Sequence, residues 1–279
     1  MADTQNAIFA QSYGRNIMQL AQQGASKLLS SVFIRPNVQG KTFFQDQIGA
    51  WSMQTKGSRN TQTPNNDPAL ARRMGTMVTY HDARLLDRGD ELKAISDPRS
   101  AYTIAGGASI GRQIDDVIIA AAAATAYAGE TGTTSVTNGN IVLITAASPT
   151  VARIAAIKKA LDDNDVPAED RYFVTNTTIL NNLLNVSQAT SSDYVTIKAL
   201  VRGEIDTWMG FKWIMSTRIG TTNIGLAYHK TGICLGMNEG PFVRTDQRTD
   251  LSYSWQIYYE LNLGAVRLEE NKVVLVQEG

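Results

Sequence analysis

Apolar side chains recur every three or four residues in the central part of the chain, the spacing of a helix with one buried face. Asp97-Pro98 provides a capping residue followed by a proline suited to the first helical position. Gly129 suits the position just beyond a helix end. We predict one helix over residues 98–128, about 45 Å long at 1.5 Å per residue. A break can form at Gly106-Gly107, because glycine destabilises a helix interior. The apolar stripe comprises Ile110, Ile114, Val117, Ile118, Ala121 and Thr125.

Three charged residues occupy the polar side of this helix. Arg112 and Asp116 are four residues apart, the spacing at which opposite charges on a helix meet. We predict an ion pair between them. Asp115 and Asp116 are adjacent and point about 100° apart on a helix, so they cannot act as facing catalytic carboxylates. Both aspartates are interpreted as part of a polar face.

Short alternating or wholly apolar runs on both sides of the helix predict strands. These runs lie near residues 40–44, 74–86, 141–145, 172–174, 205, 211–215, 224–228, 233–235 and 252–263. Ser148-Pro149 and Asn176 are typical helix starts, and a helix is predicted after each. Glu269–Lys272 is predicted to turn the last long strand back into Val273–Val276 as a hairpin. This order of elements indicates an α+β fold.

The first part of the chain has a weak hydrophobic pattern. Residues 1–37 carry a thin helical stripe that includes Ile8, Ile17 and Leu20 among many Gln and Ser residues. Such a segment buries little apolar surface by itself. We predict an arm that is stabilised by lying on another surface.

The next segment, residues 38–74, resembles an extended hairpin more than a globular element. It begins with the strand-forming Phe43 and Phe44 and continues into Lys56–Pro68, which consists almost entirely of turn-forming residues. A loop of this length inside a compact domain is generally functional or disordered. Two strands alone are only marginally stable in water. The hairpin is therefore predicted to gain stability from a neighbouring subunit.

Composition narrows the class of protein. Of the 279 residues 43% are apolar, which excludes an intrinsically disordered chain. Lys and Arg total 26 and so do Asp and Glu, so no long-range field gathers nucleic acid or anionic membrane. The single cysteine, Cys234, is interpreted as a small buried hydrophobe. No signal peptide is visible, and the longest apolar stretch is about 12 residues where a membrane span needs about 20. Synthesis in a cytoplasm is expected.

Candidate catalytic motifs are weak. Gly107-Ala108-Ser109-Ile110-Gly111 fits the G-x-S-x-G nucleophile elbow, with His229 later in the chain, but that elbow requires a strand before the serine where this pattern predicts helix. His81 and His229 share no metal-ligand spacing with Cys234. No dinucleotide or phosphate-binding fingerprint is present. We expect no catalytic, cofactor or metal site, and a serine hydrolase using Ser109 stays a distant alternative.

Several phrases together resemble a known family. Asp97-Pro98-Arg99-Ser100-Ala101-Tyr102 leads into Gly111-Arg112-Gln113-Ile114-Asp115-Asp116, and Asp165-Val166-Pro167 precedes Arg171-Tyr172-Phe173-Val174. Gly203-Glu204-Ile205, Gly210-Phe211, Ala227-Tyr228-His229-Lys230 and Leu263-Gly264-Ala265-Val266-Arg267 follow in order. In order and spacing the chain resembles the major capsid proteins of tailed bacteriophages, over essentially its whole length. Those proteins share the fold named after phage Hong Kong 97 (HK97).

The resemblance implies four parts in an HK97-like capsid fold. They are an N-terminal arm (1–37), an extended E-loop hairpin (38–74), a peripheral domain (75–135 and 238–279) containing the long spine helix, and a mixed α/β axial domain (136–237). In such shells the axial domains meet at the centres of hexamers and pentamers, while the arm and E-loop lie across neighbours. An encapsulin, a bacterial compartment built on the same fold, is the alternative within this class.

The expected partners follow from the same resemblance. The subunit is expected to bind further copies of itself, a separate scaffolding protein, a portal and a cement protein in some phages, and to touch packaged double-stranded DNA loosely. It would reside in the virion. The expected assembly contacts are Ile8, Ile17, Leu20, Phe43, Phe44, Lys56, Arg59, Arg112 and Asp116. Some members of the family weld their shells through Lys–Asn bonds, but no motif here supports such a cross-link.

Overall fold

A computed structural model describes residues 22–87, 99–145, 149–183, 206–220 and 223–279. Among these residues there are three α-helices, α1 (Arg99–Ala123), α2 (Val151–Asp162) and α3 (Thr177–Leu183). The first strands are β1 (Phe33–Arg35), β2 (Thr42–Ile48), β3 (Leu70–Thr76), β4 (Val78–Leu86), β5 (Ala126–Ala128), β6 (Thr134–Val136) and β7 (Ile141–Ile144). The others are β8 (Arg171–Thr175), β9 (Thr207–Trp208), β10 (Phe211–Met215), β11 (Asn223–His229), β12 (Ile233–Met237), β13 (Phe242–Arg248), β14 (Ser254–Arg267) and β15 (Val273–Glu278). The mixed architecture agrees with the predicted α+β class.

The described residues divide into two compact units. The smaller unit contains residues 22–26, 79–87, 99–113 and 239–262, and the larger unit contains the remainder. In the smaller unit, β14 pairs with β13 on one side and with β4 on the other. The predicted alternation along β14 is confirmed, since Ile257, Tyr259 and Leu261 are buried. Gly106 of α1 lies against the Tyr259 ring, so the sheet and the helix share a packed face.

Helix α1 is shorter than predicted and has no break at its glycine pair. It ends at Ala123, and residues 126–128 form strand β5, which pairs with β3 and β6. The helix passes through Gly106-Gly107 without interruption, because the missing side chain of Gly106 makes room for Tyr259. Ile114 and Ile118 are buried as predicted, together with small residues such as Ala108 and Ala122.

The larger unit contains a six-stranded sheet with the order β7-β15-β11-β8-β10-β9. Its core packs α2 and α3 against the strands, with Phe173 edge-on to Trp213 at 4.5 Å between ring centroids. The predicted cap of α3 is confirmed, since Asn176 Oδ1 accepts the Ile179 amide at 3.0 Å. Helix α2 begins later than predicted, at Val151, and Thr150 rather than Ser148 is its cap.

The prediction of a final hairpin is wrong. Strand β15 does not fold back onto β14; it lies between β11, to which it is antiparallel, and β7, to which it is parallel. The four valine and leucine residues from Val273 to Val276 are all buried. An uninterrupted apolar run is typical of a strand covered on both faces, and this strand lies inside a sheet.

The remaining strands of the larger unit are β1, β12 and the end of β14, which pair with one another, and the hairpin β2–β3 with β5 and β6. Strand β1 pairs in parallel with β12, which pairs with residues 263–267 of β14. Strands β2, β3, β5 and β6 form a separate four-stranded sheet. A small core containing Val38, Phe43 and Cys234 lies here. Burial raises the pKa of the Cys234 thiol to about 11, so this cysteine is a buried hydrophobe, as predicted.

Candidate assembly surface

The root of the β2–β3 hairpin is fixed by polar contacts to the end of β14. Strand β3 contributes Arg73, which is 9% exposed; its Nε donates to the Leu268 carbonyl at 2.9 Å and its Nη2 to Glu270 Oε2 at 2.7 Å. Strand β2 contributes Gln47, whose Nε2 donates to the same carbonyl at 2.9 Å. Removing one partner of a buried ion pair leaves an uncompensated charge. The base of the hairpin therefore has a defined position on its own subunit.

Arg267 closes the C-terminal end of α1 beside this root. Its guanidinium is fully buried and donates to the carbonyls of Ala122 at 2.8 Å, Ala124 at 2.7 Å and Val136 at 2.9 Å. The last carbonyls of a helix lack partners within the helix, and a cation there is favourable. Burial lowers the pKa of Arg267, while the nearby Glu270 carboxylate opposes that shift. This role of Arg267 was not predicted, although a charged residue inside an apolar strand pattern was its signal.

Beyond the root, the hairpin continues as two legs that lack regular structure. Residues 49–57 and 61–69 contain no turn or bend, and the chain reverses at residues 58–60, where Asn60 has φ of 60°. Past the last ladder pair, Ile48 with Leu70, the described backbone makes one further cross-leg hydrogen bond, from the Gly49 amide to the Ala69 carbonyl. Most peptide groups of the legs are therefore left to water or to another molecule.

Large apolar side chains stand out on this projection. Trp51 is 73% exposed and Met53 is 99% exposed, and Ile48 and Leu70 at the base of the legs are 74% and 79% exposed. Single exposed apolar residues are ordinary, whereas a contiguous group on one element marks an interaction site. The exposed group and the unpaired backbone make the projecting hairpin the candidate assembly surface.

The predicted contacts on this hairpin fall into two groups. Lys56 ends the first leg and Arg59 lies in the turn, and both are exposed. Phe43 is 4% exposed and packs in the subunit's own core, so its role as an assembly contact stays a prediction. Phe44 is half-buried under the Arg72 guanidinium, 5.4 Å from its ring centroid. Arg72 also pairs with Asp46, and this contact lowers the pKa of the Asp46 carboxyl.

Arg112 and Asp116 of α1 do not pair with each other, contrary to prediction. Arg112 Nη1 donates to Gln22 Oε1 at 3.0 Å, and Asp116 accepts from Arg218, with Nε to Oδ1 at 2.7 Å. Each side chain is hydrogen-bonded to a residue outside the helix. Both residues are therefore engaged within the subunit, and the remaining predicted arm contacts, Ile8, Ile17 and Leu20, lie outside the described residues.

The buried carboxylate of Asp115 fixes the backbone of Lys27 and Leu28. Asp115 is fully buried, and its two oxygens accept the backbone amides of Lys27 and Leu28, each at 3.1 Å. Its interpretation as part of a polar face is wrong, because the buried carboxylate serves as a strong acceptor for two backbone donors. Arg112 likewise donates to the carbonyl of Gln23 at 3.3 Å.

The geometry of a serine hydrolase is not formed around Ser109. The G-x-S-x-G stretch lies inside α1, with helix on both sides, where the elbow needs a strand and a sharp turn. Ser109 shares a cavity of about 220 Å³ with His81 and Asp82, but no described hydrogen bond joins the serine to either. His229 is engaged by the Thr231 hydroxyl and amide at 2.9 and 3.2 Å.

Two kinds of site are absent from the described residues. No group of three or more His, Cys, Asp or Glu residues is placed to hold a metal ion. No helix in these parts of the chain is long and apolar enough to cross a membrane.

A mixed fold with a hairpin that is fixed at its base and exposed along its legs is typical of a structural subunit that associates with other molecules. Similarity to known proteins identifies the family of this subunit. The model of the phage capsid protein family matches residues 5–278, and the chain therefore belongs to that family. None of the curated proteins matches the sequence.

Solved capsid structures share the fold. The chain is similar to the capsid protein of cyanophage P-SCSP1u, with 18% identity, a TM-score of 0.78, and coverage of 98% of this chain and 94% of the other. It is similar to a capsid subunit of a native GTA particle, with 11% identity, a TM-score of 0.74, and coverage of 100% and 97%. The capsid protein of cyanophage Pam1 gives 12% identity, a TM-score of 0.71, and coverage of 100% and 99%. These likenesses confirm the predicted capsid fold.

Proposed function

We propose that this capsid protein is the major shell subunit of a tailed-phage head, and that many copies enclose a double-stranded DNA genome. The projecting hairpin supports the proposal most directly. Its root is fixed by Arg73 and Gln47, whereas its legs expose Trp51 and Met53 and leave their peptide groups unpaired. A single subunit gains nothing from such an element. A neighbouring copy provides the surface that the legs lack.

The four-part division of the chain belongs to this proposal. The arm (1–37) and the E-loop hairpin (38–74) would lie across neighbours, the axial domain (136–237) would meet its copies at capsomer centres, and the peripheral domain (75–135 and 238–279) would complete the lattice. Weak individual contacts suffice, because a closed shell multiplies them.

The partners beyond the shell subunit are proposed in the same terms. A separate scaffolding protein would direct a precursor shell, a portal would occupy one vertex, and a cement protein would bind outside in some phages. Packaged DNA would touch the inner surface without sequence readout, in keeping with a net charge of zero. Synthesis would occur in the host cytoplasm, and the assembled protein belongs to the virion.

Electron microscopy of the expressed protein tests this function. Co-expression with the neighbouring scaffolding gene is expected to give closed particles in negative stain. Deleting Lys56–Pro68, so that Thr55 joins Ala69, is expected to leave a folded subunit with near-native circular dichroism but no closed particles. Normal particles from the deletion variant would show that the hairpin tip is not an assembly element, and a wild-type protein that stays monomeric with its scaffold would overturn the shell function.

A further inference from the structure

Among the residues that the structure describes, strand β7 is an open sheet edge without the usual protection. It is the outer strand of the six-stranded sheet and pairs only with β15 among the described strands. Ile141 is 43% exposed and Leu143 is 50% exposed. Edge strands in soluble proteins are normally protected by charges, prolines or bulges. The chain has no charged residue from Thr131 to Ala152.

The backbone of β7 also faces outward at Leu143. The Leu275 amide donates to the Asn140 carbonyl at 2.9 Å, which sets the phase of the parallel ladder. Alternate residues of a strand direct their peptide groups to opposite edges, so the amide and the carbonyl of Leu143 lie on the side away from β15. The outer strand β13 differs in charge, since Arg244, Asp246 and Arg248 occupy alternate positions along it.

The first leg of the hairpin has the complementary properties. Residues 50–55 are uncharged, and the exposed Trp51 and Met53 alternate with the polar Ser52 and Gln54, which is the pattern of a strand with one apolar face. The second leg cannot act in this way, because Pro64 and Pro68 lack the amide that a sheet requires.

We propose that residues 50–55 of one subunit add as a strand to the free edge of β7 in a second copy. The pairing would satisfy peptide groups that both elements leave open, and it would cover Leu143 of one copy and Trp51 of the other. Two different surfaces meet in such a contact, so repeated copies form a ring or a chain rather than a closed pair. The inference rests on the proposed shell function, and it identifies the surface that receives the hairpin.

Cysteine cross-linking within assembled particles tests the contact. Leu143→Cys is combined in four double variants with Ser52→Cys, Met53→Cys, Gln54→Cys or Thr55→Cys. Facing residues of paired strands lie about 5 Å apart between Cα atoms, within reach of a disulfide. Oxidised particles of at least one double variant are expected to give a ladder of linked chains on a non-reducing gel. Single-cysteine variants are the control and should stay monomeric, since the native Cys234 is buried.

A second pair of variants tests the edge without a disulfide. Leu143→Lys places a charge on the edge and is expected to lower the yield of particles at least tenfold, whereas Leu143→Thr, which is uncharged and suits a strand, should assemble normally. Particles that form in all four double variants with only monomeric chains on the gel would overturn the pairing and leave the shell function intact. Failure of the wild-type protein to form particles would overturn both.

Discussion

At the scale of single residues, two buried charged side chains each fix separate segments of the chain to one another. Asp115 accepts the backbone amides of Lys27 and Leu28, and Arg267 donates to three carbonyls around the end of α1. A buried charge is expensive unless it is paired and hydrogen-bonded, so these two positions tolerate little change.

Replacing Asp115 by Asn is expected to destabilise the subunit by about 1–3 kcal/mol, because the amide loses the charge that strengthens two hydrogen bonds and presents a donor where both partners are donors. Urea unfolding of the isolated subunit measures the change. The adjacent Asp116→Asn is a matched control: its bond to Arg218 is partly exposed, so its cost should stay below about 1 kcal/mol. Equal losses for both variants would contradict the role of Asp115.

The sequence revealed the chemistry of these residues but not their burial. Asp115 and Asp116 look alike in a helical pattern, and the difference between them arises from Lys27 and Leu28, nearly ninety positions away. The sequence likewise does not distinguish Phe43 from Phe44. In the structure, only the Phe43 ring is buried, in the small core that contains Val38. Long-range packing, which periodicity does not encode, separates each pair.

At the scale of elements, local patterns predicted most strands and the cap of α3 well. Strand β10 has the predicted bounds, and α3 has the predicted cap. The failures lie where tertiary structure overrides local preference. The predicted helix extends to residue 128, but residues 126–128 form strand β5 and pair with β3. Strand β15 lies in another sheet instead of completing a hairpin with β14.

The glycines of α1 give a test of helix packing. A methyl group on Gly111 would lie 2.6 Å from the Ser26 amide nitrogen and 2.7 Å from the Ala25 carbonyl carbon, whereas one on Gly107 would meet nothing within 4 Å. Gly111→Ala is therefore expected to cost about 1–3 kcal/mol through overpacking. Gly107→Ala should stabilise by about 0.5–1 kcal/mol, since alanine is the better helix former. Thermal unfolding compares the stability of the two variants. A stabilising Gly111→Ala would contradict the close approach of residues 25 and 26 to the helix.

At the scale of the whole molecule, the subunit combines a hairpin that is fixed at its base with an exposed sheet edge at β7. The family match covers nearly the whole chain, and the resemblance that predicted it came from the order of phrases, since no single motif is specific. The receiving surface for the hairpin had no signal of its own in the sequence. An uncharged strand is recognised as an exposed edge only after the sheet order is known.

Protease sensitivity should report assembly directly. Lys56 and Arg59 are exposed in the subunit, so trypsin is expected to cut the free protein there first. In closed particles the same sites should be cut at least tenfold more slowly, because neighbouring copies cover the hairpin. Particles dissociated into subunits supply the control, and equal cleavage rates in the two states would show that the tip stays uncovered in the shell.

Glu270 accepts from Arg73 at the hairpin base and from Arg267 at the end of the long helix. One carboxylate thus joins the two elements mechanically. A force on the hairpin would reach the end of the helix through that carboxylate. If either guanidinium moved away, Glu270 would keep an ion pair only with the other. We expect tension from an adjacent copy to pass into the body of the subunit at this junction.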